Sequence, residues 1–359
     1  MSQRYYNEKI YPIEYKYICK MILITGTTGL VGTHLLAHLF LKDENAKHII
    51  GVYRSEDKKN FTLKVIFEVY GVQLAKQAEQ IHWEKGDICD LPFLEGVFSN
   101  VNEVYHCAGI ISNAPSREKE LRKVNVEGTA HLINLSIANN IDKFCHLSSI
   151  ASLGEAPRNE LINEEHYREE QGKTSLYSIS KYGGEMEVWR GTQEGLKAVI
   201  INPGVIIGEG FYTSGSGELI DKANKGFPIY VDKITGFVDV KDVVSAMYIA
   251  LNSTITNERF ILVAENRRLK DIQVELAEKL GKKKPYISLQ KWMLVLLISV
   301  EYILSLFKLT SRKLSYTVVN DALKNSFYDS EKSVTQLKIK YTSVTKSLDR
   351  VAKHYLSNK

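Results

Sequence analysis

Tyr177 and Lys181 stand four residues apart in Tyr177-Ser178-Ile179-Ser180-Lys181, and Ser149 closes the run His146-Leu147-Ser148-Ser149. On a helix the first two share one face. A lysine cation beside a phenol favours the tyrosinate and offsets the desolvation that would raise its pKa, so Tyr177 can act as acid or base near neutrality. Ser149 would hydrogen-bond the substrate oxygen. Together the three suit protonation of a carbonyl while a nicotinamide delivers hydride. Spacing alone does not select this pair, because Tyr5, Tyr328 and Tyr355 also precede a lysine by four. Only Tyr177 follows both a glycine-rich element and an apolar strand ending in a serine pair.

The glycine-rich element begins with the apolar run Met21-Ile22-Leu23-Ile24, passes through Thr25-Gly26-Thr27-Thr28-Gly29-Leu30-Val31-Gly32, and continues into His34-Leu35-Leu36-Ala37-His38-Leu39-Phe40. It reads as strand, turn and helix. Glycines at 26, 29 and 32 permit a tight turn, close backbone approach to a pyrophosphate, and close packing of helix on strand. The helix N-terminus attracts the phosphate charge. A second apolar run, His48 to Tyr53, ends about where an NAD-selective site places an acid. Here Arg54 follows, with Lys58 and Lys59 close by. A guanidinium grips a 2′-phosphate bidentately, which favours NADP(H) over NAD(H). Glu56 or Asp57 as a ribose ligand is the alternative.

These residues need a scaffold. Apolar strands alternate with helical stretches through Ala198-Val199-Ile200-Ile201, the order of a parallel α/β sheet with right-handed crossovers. Lys58 to Gln80 makes a long second crossover, in which FTLKVIFEVY predicts a helix. With 359 residues, 44% hydrophobic and 25% charged, the chain suffices for one large domain and a smaller appended one. A net charge of +5, with the basic residues of the last fifty positions interleaved among apolar and acidic ones, argues against nucleic-acid binding. Cys19, Cys89, Cys107 and Cys145 lack metal or redox spacing and suit a reducing cytoplasm, so no metal is expected.

From Met21 to about Leu251 the chain resembles the extended short-chain dehydrogenases/reductases, within the NAD-dependent epimerase/dehydratase family. That superfamily includes dihydroflavonol reductases, 3-beta-hydroxysteroid dehydrogenases and nucleotide-sugar epimerases. Six motifs carry the resemblance in order. The resemblance implies a Rossmann-type doubly wound parallel sheet with a smaller, mainly helical C-terminal substrate domain. It assigns cofactor contacts to Gly26, Thr28, Gly29, Leu30, Val31 and Gly32. Gly86-Asp87-Ile88 contributes Asp87 and Ile88 at adenine, and His106-Cys107-Ala108-Gly109 contributes Ala108 and Gly109. Val124-Asn125-Val126-Glu127-Gly128-Thr129 places Asn125 near the active site, so Asn125 joins Ser149, Tyr177 and Lys181 in the catalytic set. Asn202-Pro203-Gly204-Val205 places Pro203 and Val205 at the nicotinamide, and Val238-Asp239-Val240-Lys241-Asp242-Val243 matches a late strand-to-helix junction. A homodimer is also implied. On the residue chemistry itself, Lys181 would hold the nicotinamide ribose as well, so one helix positions proton donor and hydride source.

The resulting organisation has five parts. Residues 1–20 form an N-terminal arm, unless Met21 is the true start. Residues 21–208 bind the dinucleotide and carry the catalytic set, with a substrate loop from Glu155 to Thr174. Residues 209–236 are a glycine-rich lid, 237–257 return to the dinucleotide domain, and 258–359 bind substrate. The apolar run Trp292 to Phe307 is too short to span a bilayer and contains Glu301. It reads as a buried helix or an apolar wall of the substrate pocket, with weak peripheral membrane contact as the lesser alternative. If it lines the pocket, the small-molecule substrate is apolar and bulky. Three functions follow: an NADPH-dependent carbonyl reductase or the reverse alcohol dehydrogenase, a nucleotide-sugar epimerase with tightly held NAD, or a non-catalytic nucleotide-binding protein. The intact Ser, Tyr and Lys argue against the last. Ile150 and Ala151, where related dehydratases carry an acidic pair, argue against dehydration.

Overall fold

The computed structural model describes residues 20–42, 48–157, 160–168, 174–306, 319 and 323–358. All of the expected N-terminal arm except Lys20, part of the 155–174 substrate loop, and Phe307 lie outside the described residues. The strands are β1 (Ile22–Thr25), β2 (Ile49–Tyr53), β3 (His82–Lys85), β4 (Glu103–His106), β5 (Lys143–Leu147), β6 (Ala198–Pro203), β7 (Val205–Ile207), β8 (Ile229–Tyr230), β9 (Ile234–Asp239), β10 (Glu258–Leu262), β11 (Glu265–Arg268) and β12 (Ile287–Ser288).

Seven strands form a parallel sheet in the order β10-β6-β5-β4-β1-β2-β3. Sequences such as IIGVY in β2 and AVIINP in β6 are buried throughout, as a sheet covered on both faces requires. Neighbouring residues feed opposite cores, because successive side chains alternate across a strand. Ile24 joins Leu35, Leu36, Val243 and Met247 on one face, while Leu23 joins Val104, Leu132, Phe144 and Val188 on the other. Strand order reverses direction between β1 and β4, where Thr25 pairs with His106. A crevice opens beyond the carboxyl ends of strands at such a switch point.

The expected helix in the second crossover is present as two, Glu56–Tyr70 and Val72–Glu79. Gly71, at φ 95°, breaks them. A smaller region packs the sheet β7-β9-β11 against the helices Glu218–Asn224, Leu269–Lys279 and Val344–Ser357. Phe237, Ile272, Leu276, Leu348 and Val351 form its core. Glu258–Leu262 falls in the segment that the sequence pattern gave to the C-terminal domain, yet as β10 it hydrogen-bonds β6 at the edge of the main sheet.

The reading of residues 292–307 as a buried helix or pocket wall does not hold. A helix forms over Lys291–Leu306, but Trp292, Leu296, Leu297 and Ile303 are exposed and only Leu294 and Ile298 are buried. These two, one turn apart, make the single narrow stripe of contact that this helix has among the described residues. None of its residues lines the cleft described below. Among the described residues, no helix is long and apolar enough to cross a membrane.

Candidate active site

A cleft, open at its mouth, lies at the switch point. Gly26 has φ 69°, and a methyl group there would stand 2.5 Å from the Ala108 amide nitrogen, so only glycine fits this turn. Gly29 N donates to Gly26 O at 3.0 Å, closing the turn under the N-terminus of the helix Leu30–Lys42. Gly32 serves packing: a methyl there would stand 2.2 Å from Gly26 O.

Of the expected cofactor contacts, Gly26, Thr28, Gly29, Arg54, Asp87, Ile88, Ala108 and Gly109 line the cleft. Leu30, Val31, Gly32, Tyr177, Lys181, Pro203 and Val205 do not. Val31 belongs to the apolar core beneath, Leu30 lies against Gly208, Pro203 is buried at the end of β6, and Val205 packs into the C-terminal core. Val52, Ile110 and Val124 also line the wall. Val124 stands in the motif that holds Asn125, while no motif named Val52 or Ile110. A closely approachable glycine turn, a helix N-terminus and cations at the rim fit a dinucleotide.

Arg54 and Lys58 face this cleft. The Arg54 guanidinium lies 3.4 Å from the Asp87 carboxylate. Partial burial opposes ionisation of Asp87, yet the Cys89 amide and Arg54 hold its carboxyl below the usual range. Lys59 sits 5.1 Å over the Tyr53 ring and 5.6 Å over Trp83, outside the wall. Glu56 accepts from the Tyr53 hydroxyl at 2.5 Å and, like Asp57, is absent from the lining. Cys107 lines the cleft, where burial pushes its thiol up to about 12 and keeps it protonated.

Ser149 ends the β5 strand segment in extended backbone and accepts from Ala151 N at 3.1 Å, starting a 3-10 turn over Ile150–Ser152. Across from it, Ser175 caps the helix Leu176–Gln193 through Ser178 N. This sets the Tyr177 phenol beside Ser149; burial raises its pKa and the Ser149 hydroxyl works against that rise. Lys181 is buried, and its Nζ donates to Leu147 O at 2.8 Å. Desolvation brings its pKa down to about 8, with Glu185 opposing. A methyl group on Gly109 would stand 3.9 Å from Lys181 Nζ, which places the ammonium beside the cleft wall. Thus the lysine lies behind the cleft wall at Gly109, and its hydrogen-bond partner is the β5 end and not the phenol.

Asn125 sits in a π-helical turn over Lys123–Glu127 and is buried. Its Oδ1 accepts from Ile110 N at 2.9 Å, while Nδ2 donates to Ile110 O at 3.0 Å and Ser180 Oγ at 2.9 Å. The amide therefore clamps the cleft loop to the Tyr177 helix. Sequence reasoning missed a further group. Glu185, wholly buried one turn after Lys181, accepts from Ser148, Ser152 and Asn202 at Oε2 and from Arg259 at Oε1, all between 2.7 and 3.0 Å. Asn202 also donates to Ser149 O at 3.1 Å. The four-residue step from Lys181 to Glu185 is its only local signal.

The model of the NAD-dependent epimerase/dehydratase family matches residues 22–263. A Synechocystis sp. chain assigned provisionally as a dihydroflavonol 4-reductase is 25% identical over 345 residues, covering 93% of this chain and 94% of its own length. Sterol demethylase protein B of Methylococcus capsulatus is 25% identical over 270 residues, 74% of this chain and 76% of its own. UDP-glucose 4-epimerase of Vibrio cholerae is 26% identical over 289 residues, 76% and 80%. Among solved structures, gox2253 superposes with a TM-score of 0.76 at 23% identity, covering 94% of this chain and 98% of that one. The Thermotoga maritima UDP-glucose 4-epimerase with UDP-glucose gives 0.71 at 19%, covering 94% and 99%.

Proposed function

This chain belongs to the NAD-dependent epimerase/dehydratase family, and we propose that it is an NADPH-dependent reductase of an apolar carbonyl compound, or the reverse alcohol dehydrogenase. Its NAD(P)-dependent oxidoreductase class follows from the family and its relatives. The observation that carries the finer reading is Ser149 beside the Tyr177 phenol and Lys181 beside a cleft that Arg54 and Lys58 face.

Tyr177 donates its phenolic proton to the carbonyl oxygen. Ser149 accepts from Ala151 N, so its own hydroxyl hydrogen is directed elsewhere and can donate to the same oxygen. Lys181 supplies a positive field as the tyrosinate forms, and Asn125 positions the cleft loop. Bound NADPH supplies hydride, and Arg54 with Lys58 would hold its 2′-phosphate. Residues 209–236 serve as a lid: Gly215 faces the exposed Ile111 side chain at the cleft edge. That apolar edge supports an apolar substrate, as do relatives named cinnamoyl-CoA reductase and sterol demethylase. The exposed 291–306 helix contributes nothing to that apolar edge.

The epimerase reading draws on the Vibrio cholerae relative and makes a different demand of the cofactor. Extraction of nucleotide from the purified protein, followed by titration of the emptied form with NADPH and NADH, separates the two. The reductase exchanges its cofactor and binds NADPH more tightly, and Arg54→Ser lowers that preference about tenfold or more, the scale of a lost charge-assisted pair. Stoichiometric retained NAD would overturn the reductase reading.

A further inference from the structure

The helix Lys291–Leu306 follows β12, which pairs with β8 of the 209–236 segment. Leu294 and Ile298 seat it on the protein beside Leu289 and Val319. Trp292, Leu296, Leu297, Val300, Ile303 and Leu304 all stand exposed, Trp292 at 65% and Leu296 at 56%. Single exposed apolar side chains are ordinary on any surface; a band of them along a whole helix marks a docking face.

Charge selects the occupant. Residues 282–306 hold four lysine side chains and one carboxylate, Glu301, whereas the entire chain carries a net charge of only +5. Lys282, Lys283 and Lys291 are exposed on the approach to the helix, and Lys284 shares its charge with Glu278. Glu301 lies on the half-buried side. We propose that this helix docks the protein on a bilayer containing anionic lipid, its apolar band in the interface and its lysines at the headgroups. Sixteen residues make about 24 Å of helix, short of the roughly 30 Å hydrocarbon core, so it lies in the interface plane and does not span. A second copy of the chain is a poorer occupant, because pairing this face with itself would bring two lysine clusters together. The proposal is independent of the cofactor and substrate assignments.

The full chain mixed with vesicles of phosphatidylcholine, with and without about 30% phosphatidylglycerol, tests it by co-sedimentation and tryptophan emission. Binding is expected on the anionic vesicles at low salt and falls about tenfold in about 0.5 M salt. The emission shifts to the blue, and Trp292→Phe removes that shift while Trp83 and Trp189 remain. Lys282→Gln with Lys283→Gln weakens binding about fivefold per lysine. Leu296→Ser with Ile303→Ser abolishes it while circular dichroism stays unchanged, since both positions are exposed. Equal binding to neutral and anionic vesicles would overturn the anionic assignment. No binding to either, with a dimer that the serine variant splits, would replace the membrane by a self-interface.

Discussion

In the proposed reaction Tyr177 and Lys181 divide the work of proton transfer through opposite effects of the same burial. Burial keeps the phenol protonated and ready to donate, whereas it brings the lysine down to about 8. Tyr177→Phe removes the donor without changing the cleft wall, so single-turnover reduction should slow by about 10² to 10⁴ while NADPH affinity stays nearly constant in a fluorescence titration. The lysine's charge is present below about pH 8 and lost above it. Reductive turnover should therefore hold through neutrality and decline as pH rises past about 8, read as an inflection in the pH profile of kcat. Lys181→Arg should move that decline to higher pH, because a guanidinium keeps its proton; an inflection that stays in place would remove Lys181 from the titration.

At the scale of elements, the Tyr177 helix is tied to the strand ends by Glu185. The Glu185–Arg259 pair is fully buried, and Arg259 also donates to the backbone carbonyl of Glu164. Arg259→Met leaves a buried carboxylate without its cation, and loss of about 3 to 5 kcal/mol in urea unfolding is expected. Adding Glu185→Gln should recover much of that loss, since the neutral amide needs no counter-charge. If the double variant is no more stable than the single one, the pair is not the source of the loss.

Across the whole molecule, buried neutral histidines set the acid limit. Desolvation lowers His38 to about 4 and His106 to about 3, and lowers His34 and His146 as well. His106 lies between the Thr25 and Thr129 hydroxyls, and neither ring nitrogen of His146 has a hydrogen-bond partner among the described residues. The unfolded chain takes up these protons near the ordinary histidine value, while the folded chain resists until far lower pH. Their contribution to stability is thus complete above about 6.5 and is lost as pH falls from there toward 4. Each group adds up to about 1.4 kcal/mol per pH unit in that window, so the urea midpoint should drop steeply between about pH 6 and 5. His38→Gln should soften the slope.

The dinucleotide fold and the core of the candidate site were legible in local sequence. Glycine spacing at 26, 29 and 32 dictates a turn whatever surrounds it, apolar runs such as IIGVY dictate buried strands, and the Tyr177-to-Lys181 interval dictates a shared helix face. Contacts between distant segments were decided only by the tertiary structure. Glu185 finds Arg259 because β10 joins β6, and Asn125 finds Ile110 because a π-helical turn meets the end of β4; neither pairing has a local code. Whether Val205 or Pro203 faces the cleft depends on how the β6 end bends into the C-terminal region. The apolar run after Trp292 shows the same limit most plainly. Hydrophobic composition specifies a helix that should leave water, but only the packed molecule shows that, among the described residues of this run, Leu294 and Ile298 alone are buried.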